Sequence, residues 1–151
     1  MQGMIGHHAQ AVEMSELLKL RTRRAEMRRL GERIEVSQAD EMKMMREWLE
    51  SHGAQAPDEH AHHAPGAPLM PGMLTPQEMT RLTAASGEEF DRLFLEYMIK
   101  HHEGALAMVK DLFATAGAAQ DADIYAFAAD VNADQRMEIA RMSAMLKELQ
   151  K

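Results

Sequence analysis

The sequence predicts an all-α protein, a four-helix bundle made of two αα-hairpins. Three observations predict it. Every long segment carries apolar residues at helical period, and none alternates like a strand. An eleven-residue motif occurs twice, MIGHHAQAVEM at 4–14 and MIKHHEGALAM at 98–108, with six positions identical. All 5 prolines lie between residues 57 and 76, so helix is confined to either side of that stretch.

The first helix is expected from about Gly3 to Arg21, with a break near Arg21-Thr22-Arg23. A second helix then runs to His52, where Gly53 suits the position after a helix end. Residues 53–74, GAQAPDEHAHHAPGAPLMPGML, read as a linker, extended or mobile. Thr75-Pro76-Gln77-Glu78 supplies an N-cap, a proline at the first helical position and a glutamate at the third. It opens a short helix to about Ala85. Ser86-Gly87-Glu88-Glu89 repeats that capping logic and opens a long helix from Gly87 to Ala116, ended by Gly117. A last helix runs from Asp121 to Leu149.

The repeat reaches the second helix of each half. Ile34, Gln38, Glu41 and Met45 recur as Val131, Gln135, Glu138 and Met142, at an offset of 97; the histidine motifs recur at 94. The expected organisation is one domain over 1–151: hairpin one at 3–52, linker at 53–74, hairpin two at 75–151. Such hairpins bury their apolar faces best against each other. The second copy carries an extra lead-in, EEFDRLFLEY, before its motif. The first helix, lacking it, is expected to fray at its start.

Composition narrows the function. A net charge of -7 argues against nucleic-acid binding. With 0 cysteines there is no disulfide, thiolate nucleophile or cysteine metal site. No run reaches transmembrane length. MQGMIGHH has neither the basic nor the apolar region of a signal peptide, which fits a cytoplasmic protein or one whose export signal has been removed. Methionine, at 15, outnumbers the 14 leucines, and six of the 8 histidines stand in adjacent pairs. There is no nucleophile elbow, P-loop or zinc-protease helix motif. The Glu-x-x-His needed for a di-iron bundle occurs only at Glu59–His62, in the linker.

The paired histidines carry the chemistry. At roughly 100° per residue, Met4, His7, His8, Ala11 and Met14 share one helical stripe, as do Met98, His101, His102, Ala105 and Met108. The partner helices offer Met42, Met45, Met142 and Met145. Imidazole with thioether sulfur is a soft, uncharged ligand set that selects Cu(I) and, by the same logic, Ag(I); imidazole alone also suits Cu(II) and Zn(II). A methionine stripe is ordinarily core filling. Four interior histidines need another explanation, because buried imidazoles need partners. His7 and His101 are the expected inner ligands, with His8 and His102 in support. His52, His60, His62, His63, Met70 and Met73 form a candidate second site in the linker. Glu103 reads as a surface carboxylate, Trp48 as a packing residue, and the arginines at 21, 23, 24, 28 and 29 as a solvated face.

MIxHHxxAxxM followed by Gln-x-x-Glu-[Ile/Met]-x-x-Met-x-x-[Trp/Met]-Leu, present in both halves, resembles the domain of unknown function 305 family, the CopM-like proteins. The resemblance implies a ferritin-like four-helix bundle, periplasmic or secreted, that binds copper in copper tolerance. It carries ligand roles onto Met4, His7, His8, Met14, Met45, Met98, His101, His102, Met108 and Met142. Members often have proline before the histidine pair, where this chain has Gly6 and Lys100. The expected function is sequestration or handover of copper, with the metal ion as partner, another copper-handling protein as recipient, and a monomer or dimer as the assembly. A cuprous oxidase and a metal-free helical adaptor are the alternatives.

Overall fold

The computed structural model describes residues 1–58 and 69–150. Among these, the helical segments in chain order are α1 (Gln2–Glu16), α2 (Leu18–Arg21), α3 (Ala25–Ser51), α4 (Pro76–Ala84), α5 (Gly87–Ala114) and α6 (Ala122–Leu149). The single first helix expected to Arg21 is divided at Leu17. This residue keeps helical dihedrals, but its N–H reaches back three residues to the Met14 carbonyl instead of four. The local tightening of one turn separates α1 from α2.

α1 packs along α3, α5 along α6, and the two hairpins meet through α1 and α5. The expected start of α4 is present: the Thr75 hydroxyl accepts the Glu78 N–H at 3.2 Å and the Glu78 carboxylate accepts the Thr75 N–H at 2.8 Å. The matching box at Ser86 is absent. Gly87 takes φ +61, which turns the chain into α5 without a hydroxyl cap, and Glu88 and Glu89 face the positive end of the helix instead. α5 stops at Ala114, and the Asp121 carboxylate caps α6 through the N–H groups of Asp123 and Ile124, both at 3.0 Å.

The interior is layered along the helices. A large apolar cluster takes Ala11, Met14 and Leu18 from the first hairpin arm and Leu30 and Ile34 from α3. To these it adds Phe90, Phe94 and Met98 from α5 and Met142 from α6. Two small clusters lie further along, one around Ile5, Met45 and Leu49 and one around Val109, Ala128 and Val131. Between them, every long helix contributes buried polar residues: His7 and His8, Gln38, His101 and His102, Gln135 and Glu138. Apolar burial on both sides, about 1.5–3 kcal/mol per fully buried large side chain, holds this polar layer in place.

The linker is anchored at both described ends. The Gln55 and Pro57 carbonyls accept from Gln2 and Arg46 at 2.8 and 2.9 Å. Met73 and Leu74 are buried. α1 is helical from Gln2, and His7 and His8 are as fully buried as His101 and His102. The fraying expected at its start does not weaken the first motif.

Candidate metal centre

Adjacent residues on a helix point about 100° apart, so each histidine pair faces two neighbours. His7 faces α5, where its ring meets that of His101 at 3.9 Å between centroids and 42° between planes. His8 faces α3, and its Nε2 lies 2.5 Å from the Glu41 carboxylate. The second copy repeats the pattern: His102 Nε2 lies 2.7 Å from the Glu138 carboxylate on α6. All four rings are buried.

The acceptors fix the protons. A carboxylate or carbonyl oxygen can only accept, so Nε2 donates in His8 and His102. The same holds for His7, whose Nε2 donates to the Pro71 carbonyl at 2.9 Å. Where such a ring is neutral, its Nδ1 carries a bare lone pair. None of these three Nδ1 atoms has a hydrogen-bond partner, and neither ring nitrogen of His101 makes one of ordinary geometry. Burial pushes the His7 imidazole down to about 3, despite the Pro71 carbonyl, which favours the charged form. Burial also pushes His101 well below the ordinary histidine value, reinforced by the neighbouring His7, with only weak relief from the His7 backbone carbonyl. Both rings are therefore neutral at neutral pH. Unpaired buried lone pairs cost about 1–3 kcal/mol each, and neutral imidazole is the form a metal binds.

The linker breaks the symmetry of the two halves. A Cβ on Gly104 would stand 1.9 Å from the Pro71 oxygen and 2.7 Å from the Gly72 Cα, so only glycine admits the chain there. Gly72 itself has φ +77 and lies against the Lys100 carbonyl. The residue equivalent to Gly104 in the first copy is Gln10. Its amide donates to the Leu74 carbonyl at 3.1 Å and accepts the Leu74 N–H at 2.7 Å. One copy makes room for the linker, the other grips it, and the Pro71 carbonyl lands on His7.

The methionines divide between levels. Met4 and Met14 are ten residues apart, about 15 Å along the helix, and the structure does not bring them to one point. Met14, Met98 and Met142 are fully buried in the large cluster. Met45 is buried with Ile5 and Leu49. Met4 is partly buried against both small clusters, and Met108 is partly buried beside a groove at that end. Among the described residues, no three His, Asp or Glu side chains are arranged to hold a metal ion.

Of the linker candidates, His60, His62 and His63 lie outside the described residues. His52 is exposed and stacks on Trp48 at 4.0 Å. Met73 is buried, and Met70 lies over Gly3. Glu103 is exposed, and Arg24 pairs with Glu26, Glu88 and Asp91. Sequence reasoning gave no site role to Glu41, Glu138, Gln10, Pro71 or Gly104. The two glutamates were visible in the repeat, each three residues after a glutamine at the same offset. Pro71 and Gly104 left no signal, because their pairing joins the linker to a distant part of α5.

A family profile described as domain of unknown function (DUF305) matches residues 1–146. A DUF305 protein from Streptomyces coelicolor is 30% identical, with a TM-score of 0.84 over 98% of this chain and 90% of that one. A DUF305 fragment from Deinococcus radiodurans is 29% identical, with a TM-score of 0.82 over 97% and 92%. CopM in its Cu(I)-bound form is 22% identical, with a TM-score of 0.74 over 97% and 95%. It has also been solved with Cu(II) and with silver. No curated protein sequence matches the chain. None of these relatives is described by a catalysed reaction.

Proposed function

The chain belongs to the DUF305 family, and from that premise we propose that it binds a soft metal ion, Cu(I) first and Ag(I) by the same chemistry, at the histidine layer where α1 and α5 cross. One observation carries the reading: four buried imidazoles with unpaired nitrogens stand together in mid-bundle. A bundle without a ligand gains nothing from them.

His7 and His101 are the inner ligands in this reading, and His8 and His102 the supporting ones. Glu41 and Glu138 hold the supporting rings through Nε2–H and raise the basicity of Nδ1, as carboxylates behind metal-bound histidines do. Their negative charge also offsets the cation in a low-dielectric interior. Among the described residues no three nitrogen and carboxylate donors are pre-arranged, so in this reading the ion takes methionine sulfur or draws the rings together. Met98 and Met14, on the large-core side of the layer, are the candidate sulfurs, with Met142 and Met45 on the partner helices. Neutral nitrogen and sulfur donors favour Cu(I) over hard cations.

The protein sequesters or hands over copper in this reading and does not catalyse a reaction on it. A compartment outside the cytoplasm suits it, because thioethers keep their affinity where thiols oxidise. The Streptomyces coelicolor relative is described as secreted. No helix among the described residues is long and apolar enough to cross a membrane.

Competition for Cu(I) against a chromophoric chelator tests this, on wild type and on His7→Ala/His101→Ala. Wild type is expected to strip the chelator and the variant to lose that ability. A wild type that cannot compete, or a folded variant that competes equally, refutes the reading. A parallel titration with Zn(II) and Cu(II) decides whether imidazole alone sets the preference.

A further inference from the structure

We propose a second metal site in this protein, made of thioether sulfur alone, in which Met4, Met70 and Met108 take Cu(I) or Ag(I) at the mouth of the groove beside Gly3. The proposal rests on the soft-metal reading above and adds a separate place for an ion.

Three segments deliver the three sulfurs. Met4 belongs to α1, Met108 to α5, and Met70 to the anchored end of the linker. Met70 and Met108 meet over Gly3. A Cβ built on that residue would lie 3.2 Å from Met70 Sδ and 3.8 Å from Met108 Cε. Met4 is the next residue along the helix. Met4 and Met108 line the same groove, a cavity of about 770 Å³ running between the start of α1 and the facing parts of α5 and α6.

The repeat supplies an internal control. Shifting by 94 turns Met4 into Met98, Met108 into Met14 and Gly3 into Tyr97. Each end of the α1/α5 crossing therefore has one methionine from each motif. At the Tyr97 end the pair is fully buried within the large apolar cluster, alongside Leu18 and Phe94. There methionine is a core filler, its usual role. At the Gly3 end the bulky ring is replaced by nothing, both methionines stay partly exposed, and a third is added from the linker. Filling does not explain flexible side chains gathered beside a groove that stays open. Thioethers are neutral, polarizable donors that discriminate for Cu(I) and Ag(I) against hard ions.

Trp48 lines the same groove and is the 1 tryptophan of the chain, so its fluorescence reports locally on a heavy ion. Silver(I) is titrated into the full chain while fluorescence and native mass are recorded. Wild type is expected to bind more than one ion and to quench at Trp48. Met70→Leu/Met108→Leu, a volume-conserving change that the fold tolerates well, is expected to lose one equivalent and the quench. His7→Ala/His101→Ala is expected to keep the quench and lose a different equivalent. Met14→Leu, at the sealed end, is expected to leave the quench unchanged. A Met70→Leu/Met108→Leu protein that keeps both its stoichiometry and its quench overturns the second site alone. A wild type that binds no silver overturns the soft-metal reading as well.

Discussion

Replacing Gly104 by alanine sets two effects of opposite sign against each other. On an open helix the change stabilises by about 1 kcal/mol, because alanine is the better helix former. Here the new methyl would stand 1.9 Å from the Pro71 oxygen and 2.4 Å from the Pro71 carbonyl carbon. Both are backbone atoms, which cannot rotate away as a side-chain end can. Carbon atoms pack at about 3.5–4.0 Å, so the 70–74 segment must withdraw from α5. It then gives up the His7–Pro71 hydrogen bond and both Gln10–Leu74 bonds. At about 0.5–1.5 kcal/mol each, these amount to roughly 1.5–4.5 kcal/mol. Met73 and Leu74 also lose part of their burial. Net of the helical gain, the lost bonds alone leave Gly104→Ala destabilised by about 0.5–3.5 kcal/mol, and the lost burial adds to this. Urea unfolding followed by far-ultraviolet circular dichroism reads this as a lower midpoint at similar slope. A midpoint equal to or above wild type refutes the account of the linker seat.

Gly31→Ala is the companion experiment. Its methyl would meet Leu18 Cδ1 at 2.4 Å, the free end of a flexible side chain; the same unfolding assay is expected to show a smaller loss than Gly104→Ala, and an equal or larger loss contradicts the reasoning. Stability without metal should fall in acid. The His7 imidazole titrates near 3 when folded against an ordinary 6.5, so its contribution is complete above 6.5 and is lost as pH falls from there toward 3. By pH 5 that is about 2 kcal/mol from His7, with His101 acting in the same direction. Urea midpoints in chelator at pH 7 and pH 5 that coincide would sink this. Glu138→Ala strands the buried His102 Nε2–H, which costs about 1–3 kcal/mol of stability and is expected to weaken Cu(I) binding by about 10–100-fold; chelator competition showing undiminished affinity would exclude a supporting role for that carboxylate.

The helices and their pairing were legible in the chain. Hydrophobic period and cap residues are local, set by hydrogen bonds that each helix makes within itself. The offsets of 94 and 97 show two equivalent hairpins, and the paired histidines mark both copies as interior and polar. The large-core methionines were legible only as apolar interior; the break at Leu17 and the uncapped start of α5 at Gly87 arose from local backbone geometry.

What each histidine touches was decided elsewhere. Two adjacent side chains on a helix must diverge, but their sequence does not say which one meets the sister helix and which the partner carboxylate. That depends on how the hairpins rotate as they dock, which is set by the summed packing of Phe90, Phe94, Leu30 and their neighbours. Docking put His7 on His101, His8 on Glu41 and His102 on Glu138. It also divided the methionines into a sealed pair and an open one. The Pro71 carbonyl on His7 arises from a contact between residues 64 positions apart, made only because Gly104 carries no side chain. Local period determined the elements and the identity of the donors; long-range packing alone determined which lone pairs were left bare and which sulfurs stand open to an ion.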